Sequence, residues 1–394
     1  MKKVLSFSLF LIVGLVVSQL LPYQLGEETF SDFKSYFSNP LLNICLAFIM
    51  INVGREFEIN KSEWRSYSAD YFIAMATAAL PWILIALYFV FVLLPQGMWG
   101  SAEAWKESLL LSRFAAPTSA GILFTMLAAM NLSRSWIYKK VQVLAIFDDL
   151  DTILLMIPLQ IMMIGLKWQM GALLGVVLLL LILGWWKLDT YRFPQHWRYI
   201  IYYSIILYGV CHSIYLISEH YMGHHDAIHI EVLLPAFILG MIMRSRPSHS
   251  HYEHTVTSGV SYIFMFLVGL SMPLVVGSGA MSESSTSVIA SVPMMSWGEI
   301  AFHVVVVSLL SNIGKLVPML FYRDRKLSER LAVSVGMFTR GEVGAGVIFI
   351  AIGYELGGNA LVIAALTLVL NLVLTGGFVM LVRHLAMKSY NPEE

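Results

Sequence analysis

The sequence predicts an all-α polytopic membrane protein: about twelve transmembrane helices, inverted repeats, and crossed broken helices at the fourth and eleventh spans. Three observations carry this expectation. The 394 residues are 58% hydrophobic and only 13% charged, with a mean hydropathy of +0.73, about half the charge of an ordinary soluble domain. Apolar runs long enough to cross a bilayer recur along the whole chain. Lys and Arg gather on alternate connections between those runs, as the positive-inside rule requires.

In chain order the spans run approximately 4–22, 40–57, 69–94, 107–131, 137–165, 168–186, 198–217, 228–245, 257–277, 299–322, 329–354 and 358–385. The first follows Lys2 and Lys3 and continues to Leu21 without a small-residue cleavage pattern, so it reads as a membrane helix rather than a signal peptide. Connections are short, and residues 1–394 read as a single transporter-like membrane domain with no separate catalytic module. With a cytoplasmic N-terminus, outside loops hold only Lys34, Lys106 and Lys167, and nearly all other basic residues fall inside. One missed span would invert every later loop, so the asymmetry supports an even count and two cytoplasmic termini. Formal net charge is zero, which implies no nucleic acid partner. Cys45 and Cys211 lie in apolar runs and suggest no disulfide framework.

Two spans are poor continuous helices. The fourth, LLLSRFAAPTSAGILFTMLAAM, has Pro117, Thr118, Ser119 and Gly121 at its centre. The eleventh, LAVSVGMFTRGEVGAGVIFIAIG, has Arg340, Gly341, Glu342, Gly344 and Gly346 at its centre. Proline removes a donor and glycine loosens the backbone, and peptide groups freed in a membrane must find partners or water. Interrupted helices in corresponding places of two halves point to a transporter's binding site.

The fifth span, VQVLAIFDDLDTILLMIPLQIMM, carries Asp148, Asp149 and Asp151 near its middle. Carboxylates at bilayer depth are costly and face the protein interior or a water-filled path. Asp148 and Asp149 point in different directions on a helix, whereas Asp148 and Asp151 share a face. The candidate counter-charge is Lys315 in the tenth span, within SNIGKLVPML. Counted from the cytoplasmic ends of their spans, Lys315 and Asp148 agree in depth within roughly 5 Å. The alternative for Lys315 is to snorkel to the cytoplasmic interface. Burial disfavours a charged carboxylate and a neighbouring ammonium favours it, a balance that yields acids able to exchange protons. Carboxylates, the Thr118 hydroxyl and loosened carbonyls are oxygen ligands suited to Na⁺ or Li⁺. Competition between protons and a small hard cation at one site is the minimum chemistry of antiport.

Other clusters carry less. His220, His224, His225, His229 and Glu231 stand in one loop, and His249, His251 and His254 in another. A metal site and a pH sensor are the respective functional readings, and solvated loops are the competing ones. An intramembrane aspartyl protease needs acids facing each other from two helices, and no G-x-S-x-G nucleophile motif is present. The chain therefore does not read as an enzyme.

These residues resemble the cation/proton antiporter superfamily of bacterial Na⁺/H⁺ antiporters and Kef-like exchangers, over nearly the whole chain. NICLAFIMINVGREFEI looks like its second helix, AAPTSAG its unwound fourth, FDD the paired acids of its fifth. LPAFILGMIM and YIFMFLVGLSMPL look like helices eight and nine, IGKLVP like the tenth-helix lysine motif, TRGEVGAG like the broken eleventh. The resemblance implies that Asp149 is the main ion ligand, that Asp148 carries protons and pairs with Lys315, and that Thr118 lies at the helix crossing. Asp151, Arg340 and Glu342 support them. It implies exchange of Na⁺ (or Li⁺) for H⁺, electrogenic as in members with two acids, by alternating access in a bacterial inner membrane, supporting sodium and pH homeostasis. No resident cofactor is implied, and a homodimer is, with core helices about 69–165 and 299–385 and the remainder scaffold. Asp151 departs from the family pattern, and Arg340-Gly341-Glu342 is closer to the Kef-like branch. A K⁺/H⁺ exchanger or a cation channel of the Kef-like type is accordingly the alternative.

Overall fold

The structure is a computed structural model. It describes residues 2–56, 64–130, 132, 135–164, 193–194, 196–222, 232–243, 251–271, 288–289, 292–293, 295–354 and 356–390, with isolated positions between 171 and 186. Most of the sixth span and most of both histidine-rich loops lie outside these residues. Within them the chain is helical: α1 Lys2–Leu25, α2 Glu27–Phe33, α3 Asn39–Glu56, α4 Trp64–Tyr88, α5 Ala102–Ser112, α6 Ala120–Ala129 and α7 Trp136–Ile164. Then follow α8 Trp197–Met222, α9 Leu233–Ile242, α10 His251–Ser271, α11 Trp297–Gly314, α12 Val317–Phe321, α13 Leu327–Gly336, α14 Glu342–Gly353 and α15 Gly358–Tyr390. Seven stretches of the described chain are long and apolar enough to cross a membrane, which makes this a multi-pass membrane protein.

The chain divides into two compact units. One comprises residues 1–24, 63–163 and 268–394. In it α4 packs on α5 and α11, and α15 packs on α11 and α13. Entry into these helices follows local chemistry. Ser101 caps α5 by accepting from the Ala104 N–H at 3.3 Å. Ser296 and Glu299 form a reciprocal capping box at the start of α11, satisfying donors that a helix start leaves open.

Three spans in this unit are interrupted. The fourth breaks over 116–119 between α5 and α6, and the eleventh over 337–341 between α13 and α14. The tenth, which the sequence reads as continuous, ends α11 at Gly314, turns at Lys315 and Leu316, and resumes as α12. Pro318 explains the turn. It has no N–H for the Gly314 carbonyl four residues earlier, and it suits the first turn of the new helix.

The other unit comprises residues 25–62 and 164–267. Its centre is α3, which packs on α8 and α9. Gly54 and Gly240 allow the α3–α9 contact: a Cβ on Gly54 would run into the Phe237 carbonyl oxygen, and one on Gly240 into that of Ile51. Backbone cannot yield as a flexible side chain can. Gly54→Ala is expected to destabilise the protein by about 1–3 kcal/mol, in line with overpacked contacts, measured as thermal unfolding in detergent. An unchanged melting temperature would show that the two helices separate freely.

Candidate ion-binding site

The site is assembled where the breaks of the fourth and eleventh spans meet α7 and the end of α11. The breaks bond directly to each other. The Ser119 N–H donates to the Thr339 carbonyl at 3.1 Å, and the Thr118 hydroxyl to the Met337 carbonyl at 3.2 Å. Peptide groups that a continuous helix would have used internally are thus satisfied across the crossing, as an apolar surround demands. Gly341 permits the approach, since a Cβ there would sit 2.7 Å from Ser119 Oγ. The crossing expected near Thr118 and Glu342 is therefore made by Thr118 and Ser119 against Met337 and Thr339. Glu342 is the first residue of α14 and its side chain lies outside the described residues.

Asp148 on α7 faces this crossing. Its Oδ2 accepts from the Thr118 N–H at 2.7 Å. Lys315 Nζ lies 2.9 Å from Oδ1 and 3.0 Å from Oδ2, and donates to Thr118 Oγ1 at 3.1 Å. Both side chains of the ion pair have 0% exposure, so Lys315 does not snorkel. Its position at the turn between α11 and α12 gives it access to the crossing. Asp149 follows on the same helix, and its side chain lies outside the described residues.

Arg340 sits in the eleventh-span break, fully buried. It donates to the Met337 carbonyl at 2.9 Å and to Ser311 Oγ at 2.8 Å, tying the break to α11. It thereby caps the exposed end of α13 with a positive charge, the sign a helix C-terminus prefers. Asp151 is buried one turn beyond Asp148 and is hydrogen-bonded to the Tyr71 hydroxyl.

Two groups of residues escaped the sequence reading. Arg113, in the 3-10 turn after α5, donates to the Asp151 main-chain carbonyl at 2.9 Å; its charge at bilayer depth was the available signal. Asp70 on α4 accepts from Lys140 Nζ at 2.6 Å and from the Tyr322 hydroxyl at 2.7 Å. It joins the starts of α4 and α7 to the end of α12. No local pattern in the sequence marks residues so far apart as partners.

A buried carboxylate held by an ammonium, a hydroxyl and a peptide N–H can exchange those partners for a proton or a small cation, since each is an oxygen-ligand chemistry. No curated protein matches the chain at the sequence level. Among solved structures, the fold matches the sodium proton antiporter MjNhaP1 from Methanocaldococcus jannaschii. Its structure at pH 8 aligns with a TM-score of 0.56 and 15% identity, over 96% of this chain and 92% of that one. Its electron-microscopy structure aligns with a TM-score of 0.60 and 14% identity, over 98% and 91%. The family profile of the transmembrane sodium/hydrogen exchangers matches residues 3–384. The chain belongs to the sodium/hydrogen exchanger family, within the cation/proton antiporter superfamily, and is a transporter of cations against protons rather than an enzyme.

Proposed function

We propose that the protein exchanges cytoplasmic Na⁺ (or Li⁺) for external protons by alternating access, with more than one proton moving per cation. Asp149 is the main cation ligand, assisted by Asp148 and Thr118. Asp148 also carries a proton, and Lys315 supplies its counter-charge while the cation is absent. The observation that carries the reading is the fully buried Asp148–Lys315–Thr118 cluster at the meeting of two helix breaks. A continuous helix has no spare backbone groups to offer an ion, whereas two interrupted ones do. The fold likeness to a sodium proton antiporter favours Na⁺ over K⁺.

In this reading the unit of residues 63–163 and 268–394 carries the ion, as one half of an inverted repeat and its mirror image. The helices of the other unit provide the scaffold and dimer contact of a homodimer. The setting is a bacterial inner membrane with both termini cytoplasmic, as the distribution of Lys and Arg implies.

The test is a cation-by-pH transport matrix in proteoliposomes with the membrane potential clamped. Na⁺ and Li⁺ are expected to drive saturable proton movement, K⁺ to drive far less, and the rate to follow the clamped potential. Cation flux without opposing proton movement would identify a channel instead, and a preference for K⁺ would identify a K⁺/H⁺ exchanger.

A further inference from the structure

The buried charges beside the ion pair include a cation and an acid that the exchange step above does not use. Arg113 and Asp151 are 0% and 1% exposed. Arg113 Nη2 bonds to the Asp151 main-chain carbonyl, and its guanidinium stacks on the Trp82 ring at 4.9 Å. Trp82 in turn donates to the Leu109 carbonyl at 2.7 Å, so α4, α5 and α7 are joined through this arginine. The charged groups facing Asp151 are Arg113, Lys315 and Asp148, with the Tyr71 hydroxyl bonded to its carboxylate.

This contact is poorly built as a tether. Arg113 Nε and Nη1 and Asp151 Oδ2 have no hydrogen-bond partner among the described residues. Leaving donors of a buried guanidinium unmade is costly, and a glutamine could supply the single bond to the carbonyl without that cost. What only arginine adds is a charge that is never lost, because a guanidinium keeps its proton in proteins.

We propose that Arg113 is a resident counter-cation that balances Asp151 and so confines the transported cation to Asp148 and Asp149. Three acids in succession on α7 would otherwise offer a monovalent cation two positions one turn apart. Arg113 carries the same charge as that cation and repels it from the second position. The third acid is thereby kept out of the transport cycle. The inference rests on the exchange reading above, and it identifies Arg113 as a specificity residue of that site.

The experiment measures KM for Na⁺ and kcat of proton-coupled exchange in proteoliposomes, alongside thermal stability in detergent. Arg113→Gln keeps a donor for the carbonyl and leaves Asp151 uncompensated, so KM is expected to fall about tenfold, a change of about 1.4 kcal/mol in binding. Its kcat should fall as well, because the cation leaves more slowly. Asp151→Asn leaves Arg113 uncompensated, and its KM is expected to rise by a similar factor. The double variant should return KM to near the wild-type value, and Arg113→Lys, which keeps the charge, should stay close to wild type. Opposite signs in the two single variants are what packing loss alone does not produce.

Single variants that both raise KM and lose thermal stability together would overturn the proposal, as would KM unmoved in either. Where Arg113→Gln does not fold, Asp151→Asn and the double variant decide on the same terms. Wild-type protein that moves no cation against protons would instead overturn the exchange reading on which this inference stands.

Discussion

Lys315→Ala is expected to lower the stability of the folded protein by roughly 3–5 kcal/mol, the cost of leaving one partner of a buried ion pair uncompensated. Lys315 and Asp148 are both wholly buried and 2.9 Å apart, so neither can turn to water when the other is removed. The alanine also leaves Thr118 Oγ1 without the ammonium donor it accepts. Asp148 keeps the Thr118 N–H, which is one reason the protein should still be recoverable in detergent. Adding Asp148→Asn to Lys315→Ala removes the stranded charge and should restore much of the stability, though not normal proton coupling. A thermal-unfolding double-mutant cycle measures this. Strictly additive losses would mean that the two groups do not interact in the folded protein.

Asp149→Asn should reduce cation-coupled proton movement to background while leaving the melting temperature within about 1 kcal/mol of wild type in equivalent stability, as for a substitution that breaks no buried pair. An asparagine offers one carbonyl oxygen but no negative charge, and a small hard cation in a low-dielectric surround depends on that charge. Asp149 follows Asp148 directly on α7, so the two carboxylates leave the helix about 100° apart. One acid therefore takes the lysine while its neighbour is offered to other partners. Retained Na⁺-dependent proton movement in Asp149→Asn would transfer the ligand role to Asp148 or to the loosened carbonyls of the crossing.

The sequence alone determined the class of protein and the location of its centre. Hydrophobic length, the segregation of Lys and Arg, and three acids inside an apolar run are local properties, and each has its cost written into single residues. The breaks over 116–119 and 337–341 were legible for the same reason, because Pro117 and the glycines around Arg340 act on the backbone where they stand. Depth along a helix is nearly a linear count of residues, so even the meeting of Lys315 with Asp148 followed from their positions. Side-chain direction across helices is not a linear count. That Lys315 sits at a turn rather than within a helix depended on Pro318 acting beside a tertiary contact. That Arg113 reaches the carbonyl of Asp151, and that Asp70 gathers Lys140 and Tyr322, depended on how separate helices rotate against one another. Rotation is set by the packing of whole helix faces, and on apolar helices such as these, nearly every face is hydrophobic enough to be turned inward. Only the tertiary structure decides which charges meet.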